Sequence, residues 1–200
     1  MAALASMLIG DPPKLWEDIG FQLHDGGAWV SGAHHRLGGE APGIRAFAMR
    51  DFAAADLDGW APSLDAPDER DTPAHPNGVI ALDHVVVSTP DLQRTIASFE
   101  ADGIRLRRTR DTGTTDRPTQ QAFFKLEHNI ILEVVGSRTR AAEGPPRFYG
   151  LAFTVADLGA TAAHLGAKLR PAKDAVQPGR RIATLDRSVG SSVPIAFMST

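Results

Sequence analysis

Two stretches of the sequence, LDHVVVSTPDL at Leu82–Leu92 and YGLAFTVADL at Tyr149–Leu158, share one pattern: an apolar strand that leads into an Asp-Leu pair. The Asp lies seven residues after one key position, which is His84 in the first stretch and Gly150 in the second. An internal repeat of this size indicates that one supersecondary unit occurs twice in the chain.

Two later apolar runs also correspond, IILEVV at Ile130–Val135 and PIAFM at Pro194–Met198. Their alignment places Glu133 of the first copy opposite Ala196 of the second. The polar residues of the first copy therefore have small counterparts in the second. An asymmetric repeat of this kind points to a functional site.

Apolar residues spaced i, i+4, i+7 predict a helix after each repeated strand, and strand-like runs follow each helix. Each copy is therefore a β-α-β-β-β module. The predicted fold class is α+β, with tandem βαβββ modules forming a curved, mostly antiparallel sheet around a cavity and an αβ extension before them. The predicted segments are a degenerate αβββ extension without its first strand (1–52), a linker (53–78), the first module (79–137), a second linker (138–146) and the second module (147–200).

Strand alternation predicts which side chains face the cavity, because successive side chains point to opposite faces of a sheet. It groups Leu82 and Val86 with His84, and it places Gly150, Ala152 and Ala196 on the equivalent face of the second module. On the third strand of the first module, Gln121 and Phe123 have side chains suited to a small organic ligand. The cavity is thus predicted to have one polar wall and one wall of small residues.

Two further motifs allow alternative interpretations. Arg180 and Arg181 follow a Gln-Pro-Gly turn at 177–179, in a loop that could hold a carboxylate or phosphate, and we predict Arg181 as the ligand-binding residue; the alternative is a solvated hairpin end. His34 and His35 are potential metal ligands, but neighbours in a strand point to opposite faces, so at most one enters a given site. We favour a surface position for this pair.

Composition excludes several functional classes. With 42% apolar residues, 22% charged residues and a net charge of −3, the chain is a typical globular protein without the basic surplus of nucleic-acid or anionic-membrane binders. There is no cysteine, so disulfides and thiolate chemistry are excluded. No apolar run is long enough to span a membrane. We expect a cytoplasmic protein.

Paired modules whose first strand reads xHVxxxxxDL and whose last reads xLEVV resemble the vicinal oxygen chelate superfamily. This superfamily includes glyoxalase I, extradiol dioxygenases, methylmalonyl-CoA epimerase, fosfomycin-resistance transferases and metal-free bleomycin-binding proteins. The resemblance covers residues 79–199. It implies a metal held by His or Glu residues on the first and last strands of each module; His84 and Glu133 match two of these positions, whereas Gly150 and Ala196 cannot ligate.

This resemblance leaves two functions open. The first is a metal-dependent lyase or isomerase acting beside a carbonyl, with Glu133 as base and His84, or a divalent zinc, nickel, manganese or iron ion, polarising the oxygen. The alternative is a non-catalytic, metal-free binder that sequesters a hydrophobic metabolite or antibiotic. The two missing ligands favour a metal-free site. The expected partners are a small-molecule ligand and a second copy of the chain in a homodimer.

Overall fold

The computed structural model describes residues 1–52 and 56–200 and contains two β-sheets. Residues 53–55, which belong to the predicted linker, lie outside the described residues. The first sheet has five strands and is built from the N-terminal region. The second has eight strands and is built from the two repeated modules.

The N-terminal region forms a complete βαβββ unit followed by one more strand. Its elements are β1 (Ala3–Ile9), α1 (Pro13–Asp18), β2 (Leu23–His24), β3 (Gly27–Val30), β4 (Ala33–Leu37) and β5 (Ile44–Arg50). Strand β1 pairs with β4 in parallel and with β5 in antiparallel orientation, so the sheet order is β2-β3-β4-β1-β5.

The prediction that this unit lacks its first strand was wrong, because Ala3–Ile9 is that strand. Six of its seven residues are buried, on both faces. A strand that is buried on both faces shows no alternation of apolar and polar residues, and this alternation is the usual sequence signal for a strand.

The two modules form the eight-stranded sheet. The first contains β6 (Val79–Ser88), α2 (Leu92–Ala101), β7 (Leu106–Gly113), β8 (Pro118–Lys125) and β9 (Ile131–Ser137). The second contains β10 (Arg147–Val155), α3 (Leu158–Leu165), β11 (Lys173–Asp174), β12 (Arg181–Thr184) and β13 (Ile195–Met198).

The strand order shows the repeat directly. The order is β11-β12-β13-β10-β6-β9-β8-β7. From either edge to the centre, it runs through the second, third, fourth and first strand of one module. The first and last strands of each module pair in parallel, and the two modules meet where β6 and β10 pair in antiparallel orientation. The predicted α+β class, with tandem modules in a curved, mostly antiparallel sheet, is confirmed.

The repeated Asp-Leu pair starts both helices. The Asp91 carboxylate accepts a hydrogen bond from the Arg94 backbone N–H at 3.1 Å, and that of Asp157 accepts from Gly159 and Ala160. An Asp in this position satisfies helix N–H groups that otherwise lack a partner. The Leu that follows begins the buried stripe of each helix.

The eight-stranded sheet has two unlike faces. Its core face packs against the helices and the N-terminal sheet: the Phe153 ring lies 5.1 Å from that of Phe21 and 6.2 Å from that of Trp16, between centroids. The opposite face, here called the cavity face, carries the site described below.

A bulge in β6 changes the predicted alternation. Ala152 pairs with His84 and the next residue, Phe153, pairs with Leu82, so Asp83 is an extra residue on β6. Leu82 was predicted to share the cavity face with His84. It lies instead in the core, because the extra residue reverses the alternation at that point.

Candidate small-molecule site

A cavity of about 440 Å³ lies on the cavity face where the two modules meet. This volume falls within the usual range for small-molecule sites, about 300–1,000 Å³. Of the sequence-predicted site residues, seven line it: His84, Glu133, Gln121, Phe123, Gly150, Ala152 and Ala196.

One wall carries a relay of hydrogen bonds across three residues of the first module. Arg110 Nε donates to Gln121 Oε1 at 2.9 Å, and Gln121 Nε2 donates to Glu133 Oε1 at 2.5 Å. Strands β7, β8 and β9 lie side by side, and their register places these residues next to one another. The relay holds the Glu133 carboxylate in one orientation within the cavity.

The pKa of Glu133 is raised above its ordinary value. Burial is the main cause, since a carboxylate loses hydration inside the cavity. The nearby His84 and Arg110, and the hydrogen bond from Gln121, oppose this shift without cancelling it. Glu133 therefore holds its proton up to a higher pH than an exposed glutamate does.

His84 is held by its neighbour Asp83. The Nδ1 atom of His84 lies 2.5 Å from Asp83 Oδ1, while Asp83 Oδ2 accepts from Arg180 Nη2 at 2.5 Å and from Thr154 Oγ1 at 2.6 Å. Both oxygens of this largely buried carboxylate are thus engaged. Because Nδ1 is bound to Asp83, Nε2 is the ring nitrogen left for the cavity.

Asp83 stays ionised. Burial acts to raise the pKa of Asp83, but the hydrogen bonds from His84, Arg180 and Thr154 outweigh it and hold that pKa well below the ordinary value. An ionised carboxylate on Nδ1 orients the imidazole ring. Asp83 and His84 therefore form a dyad directed into the cavity.

Arg181 lies outside this arrangement. It is exposed, and its Nη2 donates to the carbonyl oxygen of Ala172 at 2.7 Å. The preceding residue, Arg180, points inward and binds a carboxylate, that of Asp83. The loop thus has the predicted chemistry one residue earlier, and its partner is a protein group.

The opposite wall, formed by the second module, is made of small and apolar side chains. At Gly150, a Cβ atom would lie 2.9 Å from the Pro194 carbonyl oxygen and 3.3 Å from Pro194 Cβ, so the backbone of β10 and the residue before β13 leave no room for one. Ala152 and Ala196 face each other as paired residues on β10 and β13. This part of the wall leaves space and offers no side-chain hydrogen bond, and the polar side chains that the second module adds to the lining are Tyr149, Lys173, Asp174, Gln177 and Thr184.

The side chains present do not fit a resident catalytic metal. Zinc sites of this type use three protein ligands. His84 Nε2 and Glu133 are donors of the right type, but the other carboxylate of the lining, Asp174, does not form a group with them. Across residues 1–52 and 56–200, no group of three or more His, Asp or Glu side chains is placed to hold an ion. The contact at Pro194 also closes position 150 to a ligand side chain.

Three further histidines are buried away from the cavity: His34, His35 and His75. His34 stacks on Trp29 with the ring centroids 4.5 Å apart, and His35 is fully buried. The favoured surface position for this pair was wrong, because the sheet that carries β4 packs against the core face. His75 accepts from the Gln22 backbone N–H at Nδ1 and contacts the Trp29 carbonyl through Nε2. None of the three lines the cavity.

Sequence reasoning missed Asp83, Arg108 and Arg110. Asp83 was assigned to no face because the bulge is not visible in the sequence, although an Asp-His pair in an otherwise apolar strand is an unusual feature that could have drawn attention. No site residue was predicted on β7, which carries the two arginines. Arg108 and Arg110 line the cavity, and the Arg108 guanidinium lies 4.6 Å from the centre of the Phe123 ring.

Comparisons with known proteins show a likeness of fold. Methylmalonyl-CoA epimerase from Mycobacterium tuberculosis is 20% identical over 61% of this chain and 89% of that chain, with a TM-score of 0.48. A variant of the Streptomyces coelicolor epimerase, in complex with 2-nitronate-propionyl-CoA, is 18% identical over 61% and 98%, with a TM-score of 0.46. A mutant 4-hydroxymandelate synthase from Streptomyces coelicolor is 14% identical over 98% and 69%, with a TM-score of 0.49.

No family model matches the chain, and no curated protein matches it. The fold is therefore assigned from the topology. Paired βαβββ modules that enclose a cavity where their first strands meet define a glyoxalase-like domain. This is the arrangement of modules that the sequence predicted from its resemblance to the vicinal oxygen chelate superfamily. Within the described residues, no helix has the length and apolarity needed to cross a membrane.

Proposed function

We propose that this protein binds a small organic molecule in the cavity and moves a proton beside a carbonyl group of that molecule, as a lyase or an isomerase. The observation that carries the proposal is the pairing of two different titratable groups in one cavity: Glu133, whose pKa burial raises, and His84, which Asp83 holds in one orientation. Titratable groups with perturbed pKa values in a cavity are typical of acid–base sites.

The two groups suit complementary roles. Glu133, as the carboxylate, accepts the proton next to the carbonyl, and its raised pKa brings it nearer the working pH, where a general base is most effective. His84, whose ring Asp83 orients through Nδ1, directs Nε2 to hydrogen-bond the carbonyl oxygen on which negative charge develops. The relay from Arg110 through Gln121 keeps Glu133 in place during the transfer.

A resident metal ion is not part of this proposal, because two donors do not make a catalytic site of the usual kind. The homodimer and the cytoplasmic location stay predictions.

The test is proton exchange in deuterated water. Pyruvate, 2-oxobutyrate and phenylpyruvate, which all carry exchangeable protons beside a carbonyl, are incubated with chelator-treated protein and followed by proton NMR. We expect exchange faster than buffer with the wild type, and a loss of at least a hundredfold in Glu133→Gln, because removal of a general base typically costs about 10²–10⁴-fold. Thr119→Ser, on the same strand pair and away from the cavity lining, is the matched control.

A second function, non-catalytic binding of a hydrophobic metabolite or antibiotic, is favoured by the wall of small residues. Gly150, Ala152 and Ala196 provide space and no catalytic group. In that case a ligand binds without exchange or turnover, and Glu133→Gln alters affinity alone. Exchange that is absent from wild type and variant alike, beside measurable ligand binding, would replace the enzyme proposal with this one.

A further inference from the structure

We infer that the cavity takes an organic anion, with its acidic head at Arg108 and Arg110 and its apolar body against the wall of the second module. The inference rests on the proposed function, since it concerns the same cavity, and it adds the chemical class of the ligand. The acidic head is a carboxylate or a phosphate, because guanidinium groups recognise both.

Arg108 and Arg110 are both available to a ligand. Two residues apart on β7, they line the cavity from the same side. Arg110 uses its Nε atom to orient Gln121, and no hydrogen bond occupies its Nη atoms within residues 1–52 and 56–200. Arg108 lies over the Phe123 ring. In the described part of the chain, neither guanidinium forms an ion pair with a carboxylate.

The charges around the cavity leave a positive surplus on this wall. Arg180 already neutralises Asp83, and at the mouth Lys173 and Asp174 have opposite charges. What remains on the polar wall is one carboxyl group, Glu133, against two guanidinium groups. Arg138, by contrast, has a carboxylate partner in Asp111. A ligand anion supplies the partner that Arg108 and Arg110 lack.

The opposite wall determines the rest of the ligand. It presents apolar groups that accept no hydrogen bond. Binding is therefore favoured when the ligand buries apolar surface against them. They are Ala152, Ile182, Pro194, Ala196 and Met198, and on the rim the exposed Tyr149 and Val176 extend the same surface outward. An anion with a flat or aliphatic body satisfies both walls, and its central atoms lie between His84 and Glu133.

The test compares three probes with the same ring system and different heads: 2-naphthoate, 2-naphthyl phosphate and the neutral 2-naphthamide. Binding is measured by calorimetry, and the site is identified by the NMR shift of the Met198 methyl group. We expect 2-naphthoate or 2-naphthyl phosphate to bind at least tenfold more tightly than 2-naphthamide, because a hydrogen bond to a charged group is worth about a factor of ten or more. The acid that binds more tightly shows whether the site prefers a carboxylate or a phosphate.

Arg108→Gln and Arg110→Gln should each weaken binding of the acids by about tenfold and leave 2-naphthamide unchanged. Arg107→Gln is the matched control, because Arg107 lies on the same strand, is exposed and does not line the cavity. Thermal unfolding midpoints show whether the variants are folded.

Two results would overturn the inference, and they differ in what they mean for the function. In the first, the acids and the amide bind with equal affinity, and the Met198 shift is present and unaffected by either Arg variant. This result would contradict the inference of an anionic ligand, while the cavity would still be a small-molecule site. A Met198 signal that stays unmoved by all three probes, and by the 2-oxo acids of the exchange test, would count against both the anion and the proposed function.

Discussion

The two modules of the eight-stranded sheet have the same strand order and opposite chemistry. Each pairs its first strand with its last in parallel and starts its helix at an Asp-Leu pair. Yet the first module contributes His84, Gln121 and Glu133 to the cavity, and the second contributes Gly150 and Ala196. The core face maintains the fold in both copies, whereas the cavity face is free to differ.

Packing explains this division. On the core face both modules bury large apolar side chains, which are Val85, Val87, Leu132 and Val134 in the first and Leu151, Phe153, Ile195 and Phe197 in the second. Exchanging such residues for small ones creates cavities that cost about 2–5 kcal/mol each. On the cavity face no neighbouring layer has to be filled, so a glutamate and an alanine can occupy equivalent positions.

The N-terminal module extends the comparison to the opposite face of the sheet. Its last strand carries His35, which packs against Phe153 in the core with ring centroids 5.6 Å apart, whereas the last strand of the first module directs Glu133 into the cavity. Burial lowers the pKa of His35 to about 4 from an ordinary 6.5, and it raises that of Glu133. In both, burial favours the neutral form.

The largest expected effect concerns His35 and acid stability. Between pH 6.5 and about 4 the unfolded chain binds this proton and the folded chain does not, so stability rises with pH across that window and is lost as the pH falls. The pKa difference corresponds to about 3 kcal/mol. The free energy of unfolding, measured with urea, should fall from pH 7.5 to pH 4 in both proteins. The fall should be smaller in His35→Gln than in the wild type, by about 3 kcal/mol.

The control for this prediction is His24→Gln, which removes an exposed imidazole. If His24→Gln and His35→Gln reduce the pH dependence of the free energy of unfolding equally, the burial of His35 is not its cause.

The second effect sharpens the distinction between Arg180 and Arg181. Arg180→Ala leaves the buried Asp83 carboxylate without its guanidinium and should lower the free energy of unfolding by about 2 kcal/mol, less than for a fully buried pair because 21% of the Arg180 side chain is exposed. Arg181→Ala, the matched control, should change it by no more than about 0.5 kcal/mol.

Urea denaturation measures both variants, and Asp83→Asn in the Arg180→Ala background should recover part of the loss. If Arg180→Ala and Arg181→Ala are equally mild, the dyad does not depend on this guanidinium.

The smallest effect tests whether the second module could be given the chemistry of the first. Gly150→Ala brings a methyl group against the Pro194 backbone and should destabilise the protein by about 1–2 kcal/mol. Ala196→Ser, whose new hydroxyl faces the cavity, should change stability much less. Thermal unfolding compares the two. If Gly150→Ala leaves the thermal stability unchanged, Pro194 can move to make room, and position 150 could hold a ligand side chain.

Much of the site could be predicted from the sequence because the repeat aligned two sets of residues that differ in chemistry. His84, Glu133, Gly150 and Ala196 were identified in this way, and all four line one cavity. Asp83 could not be, since one inserted residue in β6 reverses the alternation that the prediction assumed. Which of Arg180 and Arg181 points inward could not be predicted either, because it depends on the direction of the chain where it leaves the turn at 177–179.

The sequence by itself determined the repeat, the helix starts and the two unlike walls, because these follow from local periodicity and from the residue types at equivalent positions. Only the tertiary structure decided that Ala3–Ile9 is a strand, that pairing with β10 makes Asp83 the extra residue of a bulge, and that Pro194 closes position 150. Each of these depends on contacts between segments distant in the chain, and burial or close backbone approach in such contacts leaves no periodic signal in the sequence.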